Sequence, residues 1–271
     1  TVVALLLLGT SVSAENPSRW AYDAKNDRIG RIYYYERTNI DGSMDERITV
    51  FRKNVTDIEV YKENGFCKRA ALVSAELDLD TLSASSISGG ALQPEAQHVD
   101  FAFLEYNEEQ QQVALRVELP DMEIRDESEV RSMPWTLYDF DLASLTVTTP
   151  HIENREGGFS FGMALLWADP GVADPFYWMG DVHASYLGDE KRLGVASEHY
   201  RLTGSAFSGE KATASEGELW LDSEDGHIVD AVFPTPNHPG YTDFRLKLQR
   251  ISDGGEAEWT TLLKAHFEGC S

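Results

Sequence analysis

Cysteine is scarce: the 271 residues contain two, Cys67 and Cys270. A thiolate metal cluster is therefore excluded, and neither Cys has a His or a second Cys at ligand spacing. Basic residues are also few, 23 Lys and Arg against 46 Asp and Glu, for a net charge of −23. A field of that sign repels nucleic acid and anionic lipid head groups and excludes both as electrostatic partners. Beyond the first residues no run is long and apolar enough to cross a bilayer. Fixed-period repeats, low-complexity tracts and linkers rich enough to divide the chain are absent. The seven histidines (His98, His151, His183, His199, His227, His238 and His266) include no H-x-H or H-E-x-x-H spacing, so neither a metal site nor a cofactor is expected.

What is present is globular: 42% hydrophobic and 11% aromatic residues, enough for a sizeable core. Val2 to Gly9 is a short apolar run, and Ser11-Val12-Ser13-Ala14 ends it in small residues. This is the pattern of a secretory signal peptide, residues 1–14, with cleavage expected after Ala14. Residues 15–271 then form one β-rich domain, exported to the periplasm or secreted. In an oxidising compartment the two cysteines are expected to pair. The bridge would tie the C-terminus to an early strand and, by chain entropy, stabilise by about 4–5 kcal/mol.

The stretch Gly217 to Leu248 frames the fold. Leu219 and Leu221 alternate with Trp220 and Asp222, the period of a strand. Ser223-Glu224-Asp225-Gly226 is a turn, and His227 to Phe233 returns. Pro234, Pro236 and Pro239 interrupt pairing, and Phe244, Leu246 and Leu248 then share a face. Earlier runs also read as strands: Gly30–Arg37, Arg47–Arg52, Thr56–Lys62, Ala70–Leu79, Val99–Tyr106, Gln112–Leu119, Phe159–Trp167, Tyr177–Leu187 and His199–Thr203. Ser83–Ile87 reads as a short strand ended by Ser88-Gly89-Gly90. Trp135–Leu145 is ambiguous, with room for one short internal helix around Asp141–Leu145. After an N-cap at Ser252-Asp253, residues Trp259, Leu262, Leu263, His266 and Phe267 fall at helical spacing. That C-terminal helix is expected on the concave or open side of the sheet. The fold class is mainly β and antiparallel: a half-open barrel or a sandwich-like sheet.

Two motifs bear on catalysis. Gly158-Phe159-Ser160-Phe161-Gly162 matches G-x-S-x-G, but the residues after it alternate as a strand, where a nucleophile elbow needs a helix. Glu76-Leu77-Asp78-Leu79-Asp80 puts three carboxylates on one strand face, neighbours about 6.5–7 Å apart, within the range of a glycosidase pair. It resembles the E-x-D-x-E strand of laminarinase-like glycoside hydrolases, with Asp80 where the acid/base Glu stands. A solvated strand face accounts for the same letters. The reading leans away from an enzyme, with Glu76, Asp78 and Ser160 as the catalytic alternatives.

Aromatic residues carry the other reading. Phe161, Trp167, Trp178, Trp220 and Tyr241 either fill a core or line a site for an apolar ligand. The loop Asn237-His238-Pro239-Gly240-Tyr241 could present His238, Tyr241 and Asp243 to such a site. The hairpin Leu219-Trp220-Leu221-Asp222, Gly226, His227-Ile228-Val229 resembles the late hairpin of periplasmic lipoprotein-carrier proteins. That resemblance implies a half-open barrel plugged by helices and a ligand with acyl chains. The sequence leaves an exported carrier of an apolar or lipid-like molecule, a secreted glycan hydrolase and an envelope interaction protein. Oligomeric state is open.

Overall fold

The computed structural model describes residues 19–270 except 168, 170, 171 and 173. The expected signal segment lies outside the described residues.

After β1 (Arg19–Trp20), the first half is a meander: β2 (Ile32–Thr38), β3 (Glu46–Arg52), β4 (Asp57–Glu63), β5 (Ala71–Asp78), β6 (Ser83–Gln93), β7 (Gln97–Asn107), β8 (Gln112–Leu119) and β9 (Met122–Glu129). A connecting segment holds β10 (Trp135–Leu137), helix α1 (Ala143–Thr148) and β11 (Ile152–Glu153). A second meander follows: β12 (Phe159–Leu166), β13 (Phe176–Arg192), β14 (Val195–Thr203), β15 (Gly217–Asp222), β16 (Ile228–Phe233) and β17 (Phe244–Ser252), then helix α2 (Gly255–Ala265).

The two meanders fuse where β17 pairs antiparallel with β2, Leu246 opposite Arg37 and Leu248 opposite Tyr35. The result is one sheet of 15 strands with β10 and β9 at its edges. Only β10, against β12, pairs in parallel in that sheet. Strands from both meanders share one core, so the sheet curls around it. Its far ends approach without a ladder: the Phe176 N–H of β13 donates to Asp126 Oδ2 of β9 at 3.0 Å. The expected half-open, mainly β architecture is what forms.

The sheet's inner face is apolar because alternation puts Tyr33 and Tyr35, Ile48 and Val50, and Ile58 and Val60 on one side. The connecting segment fills that interior. Trp135, Leu137, Tyr138, Phe140, Leu142, Ala143, Leu145 and Val147 are all buried in the same core. Helix α1 is the expected short internal helix, and all six of its residues are buried. Its Thr-rich sequence is a weak helix former. Burial holds it, helped by Thr148 Oγ1 donating back to the Ser144 carbonyl at 2.9 Å.

The expectations for α2 and for β6 are corrected. Helix α2 does not sit on the inner side. It packs on the opposite face, where Trp259 and Leu263 meet Ile32, Phe51, Tyr61, Leu72 and Leu92. Strands β2 to β6 carry apolar residues on both faces, and α2 covers the outer set. Its start also differs: Ser252 Oγ accepts the Gly254 N–H at 3.2 Å, one position before the helix begins. The second correction is β6, which runs through Gly89-Gly90 to Gln93. A Cβ on Gly90 would lie 2.1 Å from the Val99 carbonyl oxygen. Glycine there permits close strand approach at a bulge and does not end the strand.

Cys67 and Cys270 form a disulfide with Cα atoms 5.5 Å apart. It fastens the end of the α2 region to the β4–β5 loop. Beside it, the Cys67 N–H donates to the His266 carbonyl at 3.1 Å.

Candidate functional site: a buried charge hub between the sheet and its plug

Each of three inner strand faces ends in a charged residue at the position where the apolar alternation would continue. In β2, Arg37 follows Tyr33 and Tyr35. In β3, Glu46 precedes Ile48 and Val50. In β4, Lys62 follows Ile58 and Val60. Arg37 lies opposite Glu46 in the ladder, and Lys62 opposite Ile48. The connecting segment adds Asp139 and Asp141, and the loop after β16 adds Asn237, His238 and Tyr241.

Asp141 is the centre and is fully buried. Lys62 Nζ lies 2.5 Å from its Oδ2. Asn237 Nδ2 donates to its Oδ1 at 2.7 Å. Arg37 Nε and His238 Nε2 each stand 3.9 Å from that same oxygen. Arg37, also fully buried, donates from Nη2 to Asn237 Oδ1, and its guanidinium lies 3.1 Å from the Tyr241 ring centroid. Lys62 Nζ also donates to the Asp139 carbonyl.

The electrostatics follow from this packing. Burial opposes the Asp141 charge, yet Lys62, His238 and Arg37 hold its carboxyl well below the usual carboxylate range. Burial would depress Lys62, but Asp141, Asp139 and Glu46 more than offset it and hold the ammonium above its ordinary value. Asp139 is raised, by burial first, and Glu46 is raised by burial and by the Asp141 charge. Asp141 is thus held in its ionised form. Arg37 Nε and Nη1 are buried without a hydrogen-bond partner among the described residues. The chain at the hub is also strained: Asp141 and Leu142, neither a glycine, both have positive φ, 52° and 59°. What the hub can do is hold the connecting segment in the sheet by charge.

The aromatic residues named from sequence do not converge. Phe161 lies in the packed core, 6.4 Å from Phe159. Trp167 is buried at the core margin with Lys211 Nζ 4.3 Å from its ring. Trp178 is half-buried and lies over Gly162, where an added Cβ would meet its ring at 2.1 Å. With Tyr177, Lys211 and Pro236 it lines an open cleft of about 390 Å³. Trp220 stands apart from that core, stacked on His199 at 4.5 Å under Arg192 at 3.8 Å. Of the five, Tyr241 alone is at the hub. Its loop also brings His238 there, while Asp243 accepts the Ile40 N–H at 2.6 Å.

The catalytic alternatives are placed as follows. Glu76 and Asp78 are exposed on β5, and Asp78 Oδ1 accepts the N–H groups of Asp80 and Thr81, each at 2.8 Å, as a turn cap. Ser160 is exposed near the start of β12. Its Oγ lies 2.8 Å from His183 Nδ1, its ladder neighbour on β13. Sequence reasoning missed Arg37, Lys62 and Asp141. The signal was a charge at the parity of an apolar face.

No helix among the described residues is long and apolar enough to cross a membrane. No family model matches the chain, and no curated protein matches it. Among solved structures, it is similar to a "putative outer membrane lipoprotein-sorting protein domain" from Vibrio parahaemolyticus, at 13% identity and a TM-score of 0.21, over 89% of this chain and 94% of that one. It is also similar to a DUF1329 family protein from Desulfovibrio piger, at 10% identity and a TM-score of 0.23, over 84% of this chain and 87% of that one. At these scores the likeness bears on neither ligand nor activity.

Proposed function

We propose that this chain is an exported binding or carrier protein for an apolar or lipid-like molecule, closed here by its own segment from Trp135 to Ile152. One observation carries the reading. The apolar inner face of an open sheet is covered by a single connected segment, and that segment is fastened by a charge hub. A purely structural core would be at least as stable with apolar residues at Arg37, Lys62 and Asp141. Charges in those places make opening less costly, because Asp141, Lys62 and Arg37 regain hydration as the segment leaves. Withdrawal would expose Tyr35, Ile48, Val50, Ile58 and Val60 as a lining for acyl chains. The disulfide accords with export.

The test is native mass spectrometry of gently purified protein, with uptake of a fluorescent fatty acid by wild type and Asp141→Asn. Bound lipid, or uptake that rises in the variant, supports the carrier. No bound lipid and no uptake by either protein rejects it. That result favours the envelope interaction protein, a reading supported by how completely Tyr138, Phe140 and Leu142 fill the interior.

A further inference from the structure

The turn between β15 and β16 reads Asp222-Ser223-Glu224-Asp225-Gly226-His227. It closes tightly. The Asp222 N–H donates to the His227 carbonyl at 2.8 Å, and the Gly226 N–H to the Asp222 carbonyl at 2.9 Å. Gly226 has φ +75°, and a Cβ there would meet Arg155 Nη1 at 2.6 Å and Pro150 Cα at 2.9 Å. The turn is thereby seated against the loop before β11, and three metal-binding side chains cluster. One ligand atom from each of Asp222, Asp225 and His227 lies within 4.8 Å of the other two. Ligand atoms around a first-row dication with bonds of about 2.0–2.2 Å stand roughly 3–4 Å apart. The cluster is therefore within a small side-chain adjustment of a coordination shell.

Acidic turns are common without a ligand, and His227 distinguishes this one. It is 2% exposed, and neither ring nitrogen has a hydrogen-bond partner among the described residues. Its ring contact is Tyr33, centroids 5.3 Å apart. An imidazole buried with both nitrogens unmet is unfavourable where an apolar side chain would fit. A cation between the ring and the two carboxylates would remove that cost.

Both carboxylates are already aimed. Asp225 accepts from Arg28 Nε at 3.0 Å and Nη2 at 2.6 Å, and from Arg31 Nη1 at 2.5 Å. Asp222 Oδ1 accepts the N–H groups of Glu224 at 2.9 Å and Asp225 at 2.6 Å. A carboxylate offers about four acceptor positions, so each can keep these partners and still bind a metal. Such partners orient metal ligands in known sites. Two carboxylates and an imidazole suit a first-row transition ion, while magnesium and calcium prefer all-oxygen shells. The two arginines balance the two carboxylates and temper affinity, whereas the net charge of −23 draws cations in.

We propose that Asp222, Asp225 and His227 form a binding site for a divalent transition metal ion such as Zn²⁺, with Arg28 and Arg31 orienting Asp225. The inference is independent of the carrier reading. The test is calorimetric titration of metal-stripped protein with Zn²⁺, and with Co²⁺ followed by its visible absorption. Wild type is expected to bind one Zn²⁺ per chain. Asp222→Asn keeps the acceptor that closes the turn and removes the charge, and should weaken binding roughly tenfold or more. His227→Gln should abolish it together with the Co²⁺ spectrum, with circular dichroism monitoring the fold. If His227→Gln does not fold, Asp222→Asn decides alone. Absence of saturable binding by wild type overturns the proposal. So does affinity unchanged in Asp222→Asn.

Discussion

Arg37 and Asp141 are both fully buried, with Arg37 Nε 3.9 Å from Asp141 Oδ1. They come from opposite sides of one interface: Arg37 from the inner face of the sheet, Asp141 from the segment that fills it. Asn237 bridges them, accepting from Arg37 and donating to Asp141 at 2.7 Å.

Removing one partner leaves the other charges buried and unpaired. Asp141→Ala is expected to cost about 3–5 kcal/mol. Replacing the group together, as Arg37→Met, Lys62→Met and Asp141→Leu, should cost less than that single change or nothing, because the closest buried charges leave together and none of those three is stranded. Urea denaturation of the two proteins gives the comparison. A triple variant less stable than Asp141→Ala would mean that the hub contributes net stability.

Acid should weaken the fold partly through Asp27. Burial opposes its charge, but His151, with Nε2 3.7 Å away, the Tyr22 hydrogen bond and the Arg52 guanidinium lower its pKa from 3.8 to about 2. A carboxyl lowered on folding contributes stability that is fully present above its unfolded value. That stability is lost as pH falls from about 4 through about 2. The contribution is about 2 kcal/mol at most, allowing for solvent screening. In Asp27→Asn the slope of stability against pH should flatten across that window. An identical slope in both proteins would remove Asp27 from the account.

The disulfide should matter most for α2. In the chain-entropy model, replacing Cys67 and Cys270 with serine costs about 4–5 kcal/mol. Protection of amide hydrogens is expected to fall first in Gly255–Ala265, since that helix lies outside the main core. Loss of protection spread evenly over the strands would contradict this order.

Gly90→Ala and Gly209→Ala should differ sharply. At Gly90 the new methyl would lie 2.1 Å from a backbone oxygen of β7, which only strand separation can relieve. A loss of about 1–3 kcal/mol or more is expected. At Gly209 nothing lies within 4 Å, and the change should fall within about 0.5 kcal/mol. Thermal melts of the two variants side by side are sufficient. Equal melting temperatures would show that β6 and β7 separate freely.

Local physics made much of the fold legible. Most strands lie where apolar and polar side chains alternate, as in Phe244-Arg245-Leu246-Lys247-Leu248, because a strand's period depends only on its own backbone. Turns lie where Asp and Gly permit them, as at Asp225-Gly226. With two cysteines, a single intramolecular pairing was available. None of this needs knowledge of distant residues.

The tertiary structure decided the rest. Pairing of β17 with β2 joins the two meanders across about 200 positions of sequence, and no local pattern specifies that partner. The two apolar faces of β2 to β6 look alike in sequence, so which one receives α2 depends on what else fills the interior. Arg37, Asp141 and Asn237 lie about a hundred positions apart in the chain and meet because the sheet curls around the Trp135–Ile152 segment. His227 reads in sequence as the first residue of the strand that returns from the turn. Its burial beside Asp222 and Asp225 follows only when β15 and β16 pair and the hairpin is packed against Tyr33. Strand alternation is encoded within a few residues. Which charges lose their water is set by the packing of the whole chain.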